Sequence, residues 1–212
     1  MCMEIDFIDK HTIRLDKKLN NLDRFVIDFT NLLEKHKINY VIISGYVPIL
    51  FGRTRITEDV DIFVEHMDES KIKGFLEIVE GEYQILNVSS GKAFEMLKEN
   101  IAIRVSRQGE ILPNFEIKFT KTKFGEHALK NRLKVLISDE HVFISPIELQ
   151  IAFKLYLGKS DLSGRNKDIE DAYHIYKLLK EKINIEELKM FIKELEIENV
   201  GRKIFADLYE RD

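Results

Sequence analysis

Asp59 and Asp61 are the residues of this chain best placed to do chemistry. They lie in Glu58-Asp-Val-Asp-Ile-Phe-Val64, whose alternation predicts a strand over residues 57–64. Successive side chains of a strand point to opposite faces, so the two aspartates share a face, roughly 7 Å apart at their Cα atoms. Val60, Ile62 and Val64 turn the other way, toward a core. Neighbouring carboxylates repel, and burying them without a partner is costly. A divalent cation whose shell is completed by phosphate oxygens relieves both problems. The bland alternative is a solvated strand edge whose charges oppose aggregation.

Residues 41–65 must position that pair. They read as strand, small-residue turn, short helix, polar turn and strand. Ser44-Gly45 forms the first turn, where backbone N–H groups at a helix start can meet a phosphate. Arg53 and Arg55 flank Thr54 just before the acidic strand. Either can grip phosphate oxygens with its guanidinium, or pair with Glu58 or Glu65 instead. Thr57 steadies the turn, and Glu58 faces away from the aspartates.

The segment resembles the nucleotidyltransferase superfamily, whose signature is a small pair (Gly-Gly or Gly-Ser), a short helix and Asp-x-Asp on a strand. It is most similar in form to a branch with Gly-Gly-Tyr-Ala, a later Gly, and Arg-x-Thr-x-Asp-h-Asp, h being apolar. That branch includes toxin-like nucleotidyltransferases of abortive-infection systems. The matching residues are Ser44-Gly45-Tyr46-Val47, Gly52 and Arg55-Ile-Thr-Glu-Asp-Val-Asp61. The small pair departs from the pattern, being Ser-Gly. Further on, Ser145-Pro-Ile-Glu-Leu through Lys154, then Lys167-Asp-Ile-Glu-Asp171, resembles the family's helical C-terminal part. Roughly residues 20–180 are covered.

The resemblance implies an enzyme that transfers a nucleoside monophosphate from a nucleoside triphosphate to an acceptor hydroxyl on an RNA end, a protein or a small molecule. It implies Mg²⁺ or Mn²⁺ as cofactor, and a toxin–antitoxin setting with an antitoxin partner as one context. Asp59, Asp61 and Glu116 would be the catalytic and metal-binding carboxylates. Glu116 fits because Phe115, Ile117 and Phe119 alternate onto a core face and leave Glu116 and Lys118 on the other. Ser44, Gly45, Arg53, Arg55, Lys154, Lys167 and Asp168 would contact the nucleotide. For Lys154, Lys167 and Asp168 the competing reading is an interhelical ion-pair network, since a Lys inside an apolar helix demands a partner. The competing reading of the whole chain is a catalytically inactive nucleotide-binding or protein-interaction module of the same fold. The Ser-Gly order and a Glu at the third acidic position support it. A hydrolase using the same metals on phosphodiesters is a further enzymatic alternative.

Composition narrows the field. The 212 residues are 44% hydrophobic and 33% charged, enough apolar mass for a core. No apolar run is long enough to span a bilayer. The start of the chain is acidic and lacks an apolar signal region. Cys2 is the only cysteine, which excludes an intrachain disulfide and fits a cytoplasmic protein. The net charge of −4 argues against tight, nonspecific nucleic-acid binding. Basic segments 118–123 and 130–134 read as solvated surface or a local basic strip. The six histidines show no metal-ligand spacing.

The remaining pattern predicts α+β (or α/β) architecture: a mixed-sheet domain over 1–144, then a helical subdomain over 145–212. A helix is expected over residues 17–36, from Leu22, Phe25, Val26, Phe29, Leu32 and Leu33. Asp68 is expected to cap a helix running to about Glu80. Strands are expected near 101–106, 115–119, 133–137 and 141–144. Ser145, Pro146 and Glu148 read as a capping box opening the helical part, and 158–166 as a polar loop.

Overall fold

A computed structural model describes residues 4–162 and 166–209. Cys2 and part of the expected 158–166 loop lie outside the described residues. The chain divides into two compact units: Met1–Val47 with Arg55–Ser145, and Pro48–Thr54 with Pro146–Asp212. The helical unit thus takes in seven residues from the middle of the first motif.

In chain order the elements are β1 (Glu4–Asp9), β2 (Thr12–Asp16), α1 (Asn21–Lys35), β3 (Tyr40–Ile43), α2 (Tyr46–Leu50), β4 (Asp59–Val64), α3 (Glu69–Val79), β5 (Tyr83–Ile85) and α4 (Ser90–Lys98). There follow β6 (Ile103–Arg107), β7 (Asn114–Phe119), α5 (Lys123–Lys130), β8 (Leu133–Ile137) and β9 (Glu140–Ile144). The described elements after Ser145 are all helices: α6 (Ile147–Gly158), α7 (Lys167–Leu179), α8 (Ile185–Glu194), α9 (Glu198–Ile204) and α10 (Ala206–Tyr209). The nine described strands form one mixed sheet ordered β1-β2-β8-β9-β3-β4-β7-β6-β5. β4 is antiparallel to β3 and parallel to β7. The architecture is α+β, as the sequence pattern predicts.

One face of the central strands is built for burial. Val60, Ile62 and Val64 of β4, and Phe115, Ile117 and Phe119 of β7, are each at most 2% exposed. α1 covers this face. Phe25 and Phe29 stack on Phe115 with ring centroids 4.3 and 4.1 Å away. Losing one such ring from a packed core costs about 3–5 kcal/mol. This packing leaves the opposite face of β4 and β7 free for polar side chains. α1 begins at Asn21 rather than near residue 17, because Asn20 and Asp23 form a reciprocal capping box. Asp23, fully buried, also accepts from Lys17 at 2.8 Å and from the Tyr46 hydroxyl at 2.9 Å. The same Tyr46 follows the Ser44–Gly45 turn, so α1 helps hold that turn.

Two local expectations change. Pro146, not Ser145, occupies the N-cap position of α6, and no side chain caps that helix. Glu148 is drawn elsewhere, where its carboxylate accepts the backbone N–H of Asn184 at the cap of α8. The β1–β2 hairpin and the short β5 were not expected. β1 is half solvent-facing and acidic, which gives little alternation to read. Asp68 caps α3 as expected, accepting from Lys71 N at 2.8 Å.

Candidate active site

Asp59 and Asp61 lie on the polar face of β4, half-buried, while their alternating neighbours are fully buried. Glu116 is the register partner of Asp61 on β7. Because the two strands are parallel and in register, all three carboxylates belong to the same face of the sheet. The cost of this arrangement shows in Asp61. Burial first, then the charges of Asp59 and Glu116, push its pKa up to about 6, against a hydrogen bond from Ser44 and the charge of Lys118 that pull it down.

Glu116 is bonded on the side away from the two aspartates. Arg104, its register partner on β6, reaches the Glu116 Oε1 with Nε at 2.8 Å and Nη2 at 2.5 Å. Arg104 itself is about half exposed and Glu116 mostly covered. Among the described residues, no three acidic, His or Cys side chains come together closely enough to hold a metal ion. The donor set that remains, two carboxylates on one strand face, suits Mg²⁺. That ion is usually held by one or two carboxylates together with substrate phosphates and water.

The turn upstream is braced from below. Ser44, just past the end of β3, adopts φ 60°, a left-handed conformation that costs a residue with a Cβ roughly 1 kcal/mol. Its hydroxyl bonds to Asp61, which links the turn to the acidic strand. The Gly45 carbonyl accepts from Arg55 Nη2 at 3.0 Å. A Cβ on Gly45 would stand 3.1 Å from Arg55 Nη2 and 3.2 Å from Thr57 Oγ1. A larger residue here would have to push Arg55 or Thr57 aside by a few tenths of an ångström. Thr57 Oγ1 donates to the Asp59 carbonyl at 3.0 Å. Ser44, Gly45, Arg55, Thr57, Asp59 and Asp61 are thus brought together, with Arg55 fastened to the backbone of the turn.

The other predicted nucleotide contacts fall in the helical unit, where Lys154, Asp168 and Arg53 are engaged in ion pairs. Lys154 is 2% exposed and its Nζ lies 2.7 Å from Asp168 and 3.1 Å from Asp171. Arg53 pairs with Glu170 and, at 3.4 Å, with the fully buried Asp171. Lys167 is exposed in the first turn of α7. Arg53 thus finds neither Glu58 nor Glu65, the partners weighed from sequence. Glu65 is engaged by Lys71 and Asn39, which hold its carboxyl below the usual range against the effect of its burial.

Two residues near the acids were not singled out from sequence. Arg104 alternates outward from Ile103 and Val105, but only strand pairing reveals that it meets Glu116. Asn114 opens β7 beside Asp59. It is buried, and its amide donates to the Glu58 carbonyl at 3.3 Å.

This arrangement, a mixed sheet with Asp-x-Asp beside a braced small-residue turn and a helical region after it, is the nucleotidyltransferase fold. Solved structures agree. An antigenic nucleotidyltransferase-like protein from Paracoccidioides brasiliensis superposes with a TM-score of 0.53 at 16% identity, over 86% of this chain and 89% of that one. The antibiotic-resistance factor ANT(2'')-Ia superposes in its solution structure with a TM-score of 0.55 at 9% identity, over 89% of this chain and 99% of that one. Its crystal structure with adenylyl-2''-tobramycin gives 0.55 at 11%, over 85% and 99%. No family model and no curated protein matches the sequence. Among the described residues, no helix is long and apolar enough to cross a membrane.

Proposed function

We propose that this protein is a nucleotidyltransferase that moves a nucleoside monophosphate from a nucleoside triphosphate to an acceptor hydroxyl. The observation that carries the reading is the placement of Asp59 and Asp61 on one strand face, with Ser44 of the adjoining turn bonded to Asp61. The fold shared with ANT(2'')-Ia, which is seen with an adenylylated small molecule, supports it.

Asp59 and Asp61 would hold Mg²⁺ or Mn²⁺. The cation would neutralise triphosphate charge and polarise the α-phosphorus. The Ser44–Gly45 turn offers backbone N–H groups to the triphosphate, and Arg55 keeps the turn in shape through the Gly45 carbonyl. Glu116 lies beside Asp61, held by Arg104, where it can accept the acceptor's hydroxyl proton. The acceptor oxygen bonds to the α-phosphorus, the bond from that phosphorus to the bridging oxygen breaks, and pyrophosphate leaves. Lys154, Asp168 and Arg53 serve the helical unit's own ion-pair network in this reading.

The test is transfer of label from ATP labelled at the α-phosphate, with pyrophosphate release measured alongside. Asp61→Asn should abolish both while the fold survives. The second reading, an inactive nucleotide-binding module, draws on the Arg104–Glu116 pair, which occupies the third carboxylate. Metal-dependent ATP binding without any transfer to RNA ends, protein or small hydroxyl compounds would favour it.

A further inference from the structure

A cavity of about 180 Å³ opens on the polar face of the sheet beside the acids. Asp61 and Glu116 form its near end. Phe63, Lys118, Lys121 and Thr122 form much of the rest. Its place along the strands is informative. The Ser44–Gly45 turn and Thr57 stand at the start of β4. Phe63 and Lys118, themselves register partners, lie two residues beyond Asp61 and Glu116 in the other direction. The cavity therefore occupies the side of Asp61 away from the turn that suits the triphosphate. Phe63 lines it beside α5, its ring 3.5 Å from where a Cβ on Gly125 would stand.

The charges of the wall differ from those of the near end. Lys121 donates to the Lys98 carbonyl at the end of α4, so its ammonium is tied to backbone. Lys118 is half-buried and, among the described residues, its ammonium makes no hydrogen bond and no ion pair, although it lies near enough to influence Asp61. A half-buried ammonium without a bonded partner is an attractive place for an anion. Glu116 is already matched by Arg104, and a cation on Asp59 and Asp61 would offset those two charges. With the acids so occupied, the cavity presents positive charge. A polyamine acceptor would be repelled by Lys118. The volume is several times the roughly 30 Å³ of one water and below the 300 Å³ or so at which drug-sized pockets begin. It has room for a phosphate and a few carbons.

We propose that this cavity is the acceptor site and that the acceptor is a small hydroxyl compound bearing a phosphate, its anionic group bound by Lys118 and its hydroxyl turned to Glu116 and Asp61. The assignment rests on the transferase reading above. Glycerol 3-phosphate and ribose 5-phosphate are suitable probes, with glycerol and ribose as uncharged controls. Binding is measured by calorimetry with Mg²⁺ and a non-hydrolysable ATP analogue present. Both monoesters should bind at least tenfold more tightly than their controls. Lys118→Ala should weaken monoester binding at least tenfold and change analogue affinity less than twofold, while Lys118→Arg should restore the monoesters. Thermal melts establish that the variants are folded. Monoesters binding no better than their controls would overturn the proposal. So would Lys118→Ala acting on the analogue instead, which would assign Lys118 to the triphosphate. A short single-stranded RNA with a free 3′ hydroxyl, binding far more tightly than the monoesters through the same lysine, would also overturn it. Label transfer from ATP with pyrophosphate release reads the transferase proposal and the monoester titration reads this one, so either can fail alone.

Discussion

Glu116 is aligned with Asp61 across two parallel strands, yet its bonded partner is Arg104 on the strand beyond. The pair makes Arg104 a positioning residue for the third carboxylate. Glu116→Gln should lower turnover by about 10²–10⁴-fold if that carboxylate takes the proton, with nucleotide affinity nearly unchanged. Arg104→Ala should lower kcat less. The double variant should be no worse than Glu116→Gln alone, because residues acting as one unit are non-additive. Additive losses would show that Arg104 acts independently of Glu116.

Asp61 makes a pH-dependent contribution to stability. Its carboxyl titrates at about 6 in the folded chain against 3.8 for the free group. Between those values the unfolded chain gives up the proton while the folded chain keeps it. Folding therefore favours the protonated acid. That advantage is present below pH 3.8 and lost as pH rises through about 6. Asp61→Asn removes the penalty. It should raise Tm at pH 7.5 by roughly 2–6 °C and by much less at pH 4. Mg²⁺ with ATP should narrow the gap by stabilising the wild type alone. A variant no more stable than wild type at pH 7.5 would contradict the crowding of these carboxylates.

Ser44 carries two opposed effects, a left-handed backbone and a hydroxyl bonded to Asp61. Ser44→Gly relieves the first and removes the second. Ser44→Ala removes only the hydroxyl. Glycine should be more stable than alanine by about 1 kcal/mol, measured by urea denaturation. Both should raise the pKa of Asp61, read by NMR titration of its carboxyl carbon. Equal stability of the two variants would mean the turn is relaxed.

Lys154 is the centre of a buried cluster with Asp168 and Asp171. Lys154→Met removes the closer ammonium from the fully buried Asp171 and leaves it paired with Arg53 at 3.4 Å. The expected cost is about 3–5 kcal/mol, seen as early loss of helical signal on heating. Adding Asp171→Asn should recover part of it. A stable Lys154→Met variant with weakened ATP binding would instead make Lys154 a nucleotide contact.

The acidic pair was legible because it depends on local rules alone. The period-two alternation of Val60, Ile62 and Val64 places Asp59 and Asp61 on the free face, and Phe115, Ile117 and Phe119 do the same for Glu116. Which strands then lie side by side is a long-range matter. The Arg104–Glu116 pair follows from β6 folding back on β7, and no local pattern encodes it. Ser145-Pro146-x-Glu148 shows the opposite failure. The spacing is right for a cap, but Glu148 is drawn to Asn184, more than thirty residues away. Arg53 looked like a neighbour of the acidic strand because it precedes it closely. Its actual partners, Glu170 and Asp171, come over a hundred residues later.

Residues 48–54 belong to the helical unit although the chain on both sides of them belongs to the sheet unit. The Phe51 carbonyl bonds to His174, and Arg53 is anchored on α7. The helical unit is therefore assembled from two separate stretches of the chain. A recombination event at Ser145 that exchanged the C-terminal helices would strand this internal segment among unfamiliar side chains. Viable exchanges would have to change residues 48–54 at the same time, so the motif's own middle should track the helices in descent while its two ends track the sheet.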